Sequence, residues 1–227
     1  MRRASAEVRA ALIAGVLVGV GCEGAGEGEG GPVEQPPVRG ACEAAAGASD
    51  PFADCVDAFT PQGATFGQER LPEVVLGPPQ GGGEIGGLDV LSLGCGGEIT
   101  LFFDGHGIVD GPGPDLRIFE NPFALGDVTF VEPARVLVSD DGMTWYEFAC
   151  DLEARPPVGC AGVGLVWPGD DPEAAGGDAF DLADLGLARA RWLRLIDVGE
   201  AYYGDRMWCE GVSGGFDLDA AAALHGE

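Results

Sequence analysis

Residues 134–149, ARVLVSDDGMTWYEFA, decide how this chain is read. Ala134 to Ser139 form an apolar run of strand length. Asp140-Asp141-Gly142 interrupt it, and Thr144 to Ala149 return. Aspartate-glycine between two such runs is a strong hairpin signal. Glycine supplies the positive φ of a tight turn, and aspartate bonds its own backbone there.

Working outward, short segments bounded by Gly, Pro and Asp continue in both directions. Val74-Val75-Leu76 precede Gly77-Pro78-Pro79. Leu88 to Leu93 (LDVLSL) run into Gly94-Cys95-Gly96-Gly97, then Glu98 to Phe103 (EITLFF), and this pair reads as a second hairpin. Arg191 to Val198 and Gly215 to Ala222 read as late strands. Asp181 to Ala190 offer one helical turn, and Ala220 to Leu224 a frayed one. Many short strands with few helical patterns predict an all-β sandwich or jelly roll over residues 42–227. No internal repeat is visible.

A length of 227 residues suits one domain with a tail. The formal charge is -26, from 38 acidic residues against 12 basic ones, all arginine. Phosphate-rich partners need clustered cations, so nucleic acid and anionic lipid surfaces are excluded as partners.

The first 21 residues read as an export signal. Arg2, Arg3 and Arg9 precede an apolar run, Ala10 to Val20, too short to span a bilayer. The run ends in Val20-Gly21-Cys22, which resembles a bacterial lipoprotein signal, with Cys22 as the lipidated residue. Gly19 stands where such signals usually carry leucine. Residues 22–41, rich in Gly, Glu and Pro, cannot bury enough surface to offset their ordering entropy, and predict a flexible tether. The expected address is the bacterial cell envelope, at the outer membrane or cell surface, with a lipid as the only membrane anchor.

Of the seven cysteines, Cys22 is set aside for lipid. The remaining six are Cys42, Cys55, Cys95, Cys150, Cys160 and Cys209, an even number suited to disulfides after export. Six cysteines allow fifteen pairings. Proximity in sequence suggests Cys42–Cys55 and Cys150–Cys160, leaving Cys95–Cys209. Closing a loop of about 15 residues is worth roughly 3 kcal/mol in the chain-entropy view. No C-x-x-C pair exists, which speaks against zinc.

The densest chemistry lies in residues 108–123, IVDGPGPDLRIFENPF. Proline fixes φ and glycine frees it, so the loop is rigid. Asp110, Asp115, Glu120 and Asn121 fall within twelve residues. Calcium takes six to eight oxygens from carboxylates and carbonyls, and this stretch offers both. The same aspartates also serve as ordinary turn formers.

Catalytic readings are thinner. Paired carboxylates about 5–10 Å apart cleave glycosides, but Asp115 and Glu120 fall on opposite faces of a regular strand. A histidine triad would rest on His106, in a glycine-rich turn, or His225 near the C-terminus. Schiff-base chemistry lacks a lysine. Sugar binding has more support: Trp167, Tyr202, Tyr203, Arg206 and Trp208 supply aromatic and polar groups of the kind that line ligand sites. Glu200 to Glu210 read as an extended loop carrying most of them.

Three pieces combine into a resemblance. Ser139-Asp140-Asp141-Gly142-Met143-Thr144-Trp145 resembles the S-x-D-G-x-x-W hairpin of discoidin-type (coagulation factor 5/8 C-terminal-like) domains. Ala190 to Leu195 is similar to their A-R-y-v-R-i strand, and Gly215 to Ala220 to their closing strand. The hairpin also resembles the Asp-box of sialidase propellers, shortened by one residue, and as a single copy it implies a hairpin with Trp145 packed inward. A longer run, including VLGPPQGGG, DGPGPDLRIFENPF, AGGDAFDLADLGL and GFDLDA, resembles an uncharacterised class of bacterial cell-surface proteins over residues 55–224. These likenesses imply a galactose-binding-like jelly roll, often with structural Ca²⁺ near the closing strand. By that resemblance Asp217 and Asp219 join the metal candidates. They alternate with Phe216 and Leu218, so they are expected to point away from the core. The function expected is a non-catalytic lipoprotein binding domain for a glycan or another envelope component. The alternatives are a glycoside hydrolase and a purely structural envelope protein.

Overall fold

The computed structural model describes Cys42 and residues 50–226, save His106 and Asp127. The expected signal peptide, the lipidated Cys22, the tether and the loop histidine His106 lie outside the described residues.

The architecture is mostly β. The strands are β1 (Cys55–Thr60), β2 (Leu91–Ser92), β3 (Glu98–Phe102), β4 (Ile108–Val109), β5 (Leu116–Glu120), β6 (Phe123–Leu125), β7 (Val128–Phe130), β8 (Ala134–Ser139), β9 (Tyr146–Glu147), β10 (Asp178–Phe180), β11 (Arg189–Ala190), β12 (Trp192–Asp197) and β13 (Asp217–Ala223). One sheet runs β1-β3-β12-β8-β9 and the other β10-β5-β13-β2; β4–β11 and β6–β7 form two-stranded ribbons. All these pairings are antiparallel.

Alternation explains how the sheets face each other. Ile99 and Leu101, Val136 and Val138, and Leu193 and Leu195 project from the first sheet. Leu116, Ile118, Leu218, Ala221 and Ala223 project from the second into the same buried cluster. The result is a β-sandwich-like core. At about 25 cal/mol per Å² of apolar surface buried, such a core supplies most of the favourable free energy of folding.

The 134–149 hairpin forms as expected, with Leu137 opposite Glu147 and Val138 opposite Tyr146. Asp141 accepts hydrogen bonds from the Met143 and Thr144 amides, both at 2.7 Å. Those amides hold its carboxyl down at about 2. Gly142 takes φ 68°, as this turn requires. Trp145 does not enter the core. It is half-buried, with the Arg194 guanidinium 4.0 Å over its ring.

Four local expectations are corrected. Leu88–Leu93 and Glu98–Phe103 are not a hairpin: β2 pairs with β13 in one sheet, and β3 pairs with β1 and β12 in the other. Gly94 to Gly97 carry the chain between sheets. Both runs are so apolar that alternation does not reveal the partner. Glu73–Val75 is a 3₁₀ turn and not an extended segment. Ala220 to Ala223 are strand and not helix, because both faces of β13 are buried and only small side chains fit. Ala221 and Ala223 face the core, while Ala220 and Ala222 lie with Phe52, Phe119, Val166 and Ala175. Tertiary packing overrides the helix preference of alanine. Glu200–Glu210 is not an extended loop but holds helix α1 (Gly199–Tyr203) and a 3₁₀ turn, Arg206–Trp208.

The disulfides are Cys42–Cys55, Cys95–Cys209 and Cys150–Cys160. Cys95 sits in the inter-sheet crossing, and Cys209 follows the 3₁₀ turn. This bond therefore ties the α1 region to the body of the sandwich.

Candidate functional site

β5 ends at Glu120, and the chain turns at once into the β6–β7 ribbon. Phe123 pairs with Phe130 across it. Their rings stack at 5.0 Å. Phe130 stacks on Tyr203 at 5.8 Å, and Tyr203 meets Trp208 at 5.3 Å. Tyr202 meets Tyr203 edge-on at 4.7 Å. A ridge of Phe123, Phe130, Tyr203 and Trp208 thus crosses three chain segments. Its ends are open to solvent, with Phe123 41 % and Trp208 46 % exposed.

Of the residues expected to bind ligand, Tyr203 and Trp208 belong to the ridge. Tyr202 is buried, with the Arg155 guanidinium 4.2 Å over its ring. Arg206 is engaged by Glu200 at 2.6 Å and Glu210 at 3.2 Å. Trp167 lies elsewhere, half exposed and packed against Gly83 and Gly176. Phe123 and Phe130 escape sequence reasoning. Each sits in a three-residue strand too short to show a period.

Beneath the ridge lie acids. Extending the β6–β7 register beyond Phe123 and Phe130 brings Glu120-Asn121 alongside Glu132. Glu120 is 1 % exposed, and its Oε2 has no hydrogen-bond partner. Burial, then the charges of Glu132 and Asp217, hold it well above the usual carboxylate range. Burial, with Asp217 and Asp197 adding, pushes Glu132 up to about 9. Burial raises Asp217 to about 7, against a hydrogen bond from the Ser92 hydroxyl. Burial raises the Tyr203 phenol too, with Glu132 and Glu120 contributing. Among the described residues no arginine forms an ion pair with Glu120, Glu132 or Asp217.

Other buried acids differ in kind. Asp197 accepts the amides of Gly96 and Phe216, both at 2.9 Å. Asp178 accepts those of Gly162, Val163 and Gly164 at 2.7–3.0 Å. These carboxylates organise loops. Glu120 has an oxygen left over.

The six residues expected to hold metal divide. Asp110 and Asp115 join Asp181, with one carboxylate oxygen from each within 4.8 Å of the others. Asp115 is already bonded to the amides of Gly111 and Leu182 at 2.7 Å, and Asp181 caps the Ala183 amide at 2.9 Å. Glu120, Asn121, Asp217 and Asp219 lie beyond the other end of β5, roughly 16 Å away at the usual strand rise. Asp219 is not solvated as expected but 3 % exposed, because the outer face of β13 is covered. It sits in a bulge of β13, and the Gln80 amide bonds both its oxygens at 3.0 Å. The amide of Asn121 reaches it at 3.5 Å, and burial raises Asp219 to about 7.

No family model matches this chain, and no curated protein matches it. The functional reading therefore rests on the geometry.

Proposed function

We propose that this domain is a non-catalytic carbohydrate-binding module of a lipid-anchored envelope protein, built as a galactose-binding-like jelly roll. The observation that carries the reading is the ridge of Phe123, Phe130, Tyr203 and Trp208. Sugars present flat C–H faces that stack on aromatic rings, and hydroxyls that bond to polar groups beside them. Rings drawn from three segments and packed against one another form such a platform. The net charge of -26 directs it toward neutral or cationic glycans and away from polyanionic ones. The basic, apolar start of the chain and Cys22 support the lipid anchor. Screening the purified protein on a glycan array tests the reading. Binding of neutral or amino sugars is expected, and a blank array removes it in favour of a purely structural envelope role.

Glycoside hydrolysis is the second reading, favoured by the coupled acids at the base of the ridge. Against it stands the burial of Glu120, which leaves its carboxyl closed to a sugar chain. Cleavage of a chromogenic glycoside, abolished by Glu120→Gln, would establish the enzyme.

A further inference from the structure

We infer that the base of the β6–β7 ribbon is a site for a hard divalent cation, calcium above all, held by Glu120 and Glu132. Three observations carry this, none of which depends on the sugar reading.

The first is the orphaned oxygen. Oε2 of Glu120 is buried and without a hydrogen-bond partner. Removing a carboxylate oxygen from water without a partner is costly, so such groups meet a counter-charge, a donor or a metal. Asp115, Asp178, Asp197 and Asp219 have backbone amides as partners; Glu120 Oε2 has none. The second is convergence. The ribbon register sets Glu132 beside the Glu120-Asn121 pair, where it also accepts from the Gly215 amide. Asn121 Oδ1 is likewise buried and unpartnered next door. The third is the lack of positive charge. The chain contains no lysine, and among the described residues no arginine pairs with either glutamate.

The donors decide the class of ion. Only oxygen is on offer, since the six cysteines of the domain are in disulfides. Oxygen ligands with anionic charge suit calcium or magnesium and not soft metals. Two carboxylates supply part of the calcium shell, and backbone carbonyls and water complete it. With so few charged ligands, affinity is expected at about 10⁻⁴–10⁻³ M, the range of extracellular modules. The Asp110–Asp115–Asp181 group makes an internal control. It is acidic too, but its buried member is already bonded to amides.

Chelator-treated protein is titrated with calcium chloride by calorimetry, and with terbium chloride by luminescence sensitised through Tyr203 and Trp208. One ion is expected to bind, with a rise in melting temperature. Glu120→Gln and Glu132→Gln are each expected to weaken uptake by about tenfold or more, as fewer charged ligands remain. Asp181→Asn leaves uptake unchanged. Circular dichroism shows that each variant folds; should Glu120→Gln fail to fold, Glu132→Gln carries the test. No uptake by the wild-type protein overturns the proposal. So does uptake that survives both glutamate variants, whatever Asp181→Asn does. A blank glycan array with calcium bound would sink the sugar reading and leave this one intact.

Discussion

Tyr203 donates its phenolic hydrogen to the backbone carbonyl of Val131 at 2.7 Å. One residue before Val131 is Phe130, whose ring Tyr203 also stacks on; one residue after is Glu132. A single side chain from α1 therefore sets the spacing between ring and acid on the ribbon.

Removing that hydroxyl tests how much of the ridge depends on it. Tyr203→Phe keeps the ring and leaves the Val131 carbonyl without its donor. A loss of about 1 kcal/mol in denaturant-derived stability is expected. A change within error would show that the ring contacts alone hold α1 in place.

The two open ends of the ridge are expected to matter for ligand and little for folding. Phe123→Ala and Trp208→Ala each remove one stacked ring, worth about 0.5–1.5 kcal/mol. Affinity for the best array ligand is expected to fall about two- to tenfold, with a small effect on the melting temperature. Trp167→Ala lies off the ridge and leaves binding unchanged. Should Trp167→Ala abolish binding while the other two do not, the ligand face lies elsewhere.

Acidity gives a third prediction, and its sign follows from linkage. Glu132 titrates at about 9, and Asp217 and Asp219 at about 7. All are raised above unfolded values of about 4. The folded chain thus holds protons that the unfolded chain releases. The stability these groups contribute is complete below about pH 4 and is lost as pH rises through 7 toward 9. In chelator, the melting temperature is expected to fall between pH 5 and pH 9. A melting temperature that climbs over that range contradicts the burial described for these acids. Asp141, held at about 2, works the other way and matters only in strong acid.

The Cys95–Cys209 bond spans 114 residues. Loops of about 100 residues are the ones whose closure constrains the unfolded chain most, at up to roughly 4.7 kcal/mol. Replacing both cysteines by serine is expected to cost about 2–5 kcal/mol. Trp208 fluorescence is expected to report loosening of the ridge before the core unfolds. Simultaneous loss of that fluorescence and of the far-ultraviolet circular dichroism of the strands would show that the α1 region has no independent freedom.

Much of the sandwich was legible because its strands are bounded by turn residues with a mechanism. Asp141-Gly142 announces the β8–β9 hairpin, and the alternation of Arg191 to Val198 announces β12. Pairing across the sheets was not legible, since LDVLSL and EITLFF satisfy either partner equally. The alanines of β13 mislead for a related reason: only the packing on both faces, invisible locally, explains them. Of the site, Glu120, Tyr203 and Trp208 stood out by density or type, and Asp217 through the resemblance. Glu132 did not. It is a lone acid between Val131 and Pro133, and its meaning comes from a residue twelve positions earlier that the ribbon folds back beside it.

The same long disulfide bears on resistance to proteolysis. The β6–β7 ribbon lies between Cys95 and Cys209, and the Cys150–Cys160 loop lies inside that interval as well. A protease that nicks the ribbon would therefore leave two fragments still covalently fastened, with both sheets represented on each side of the cut. Damage to the ribbon need not part the two halves of the domain.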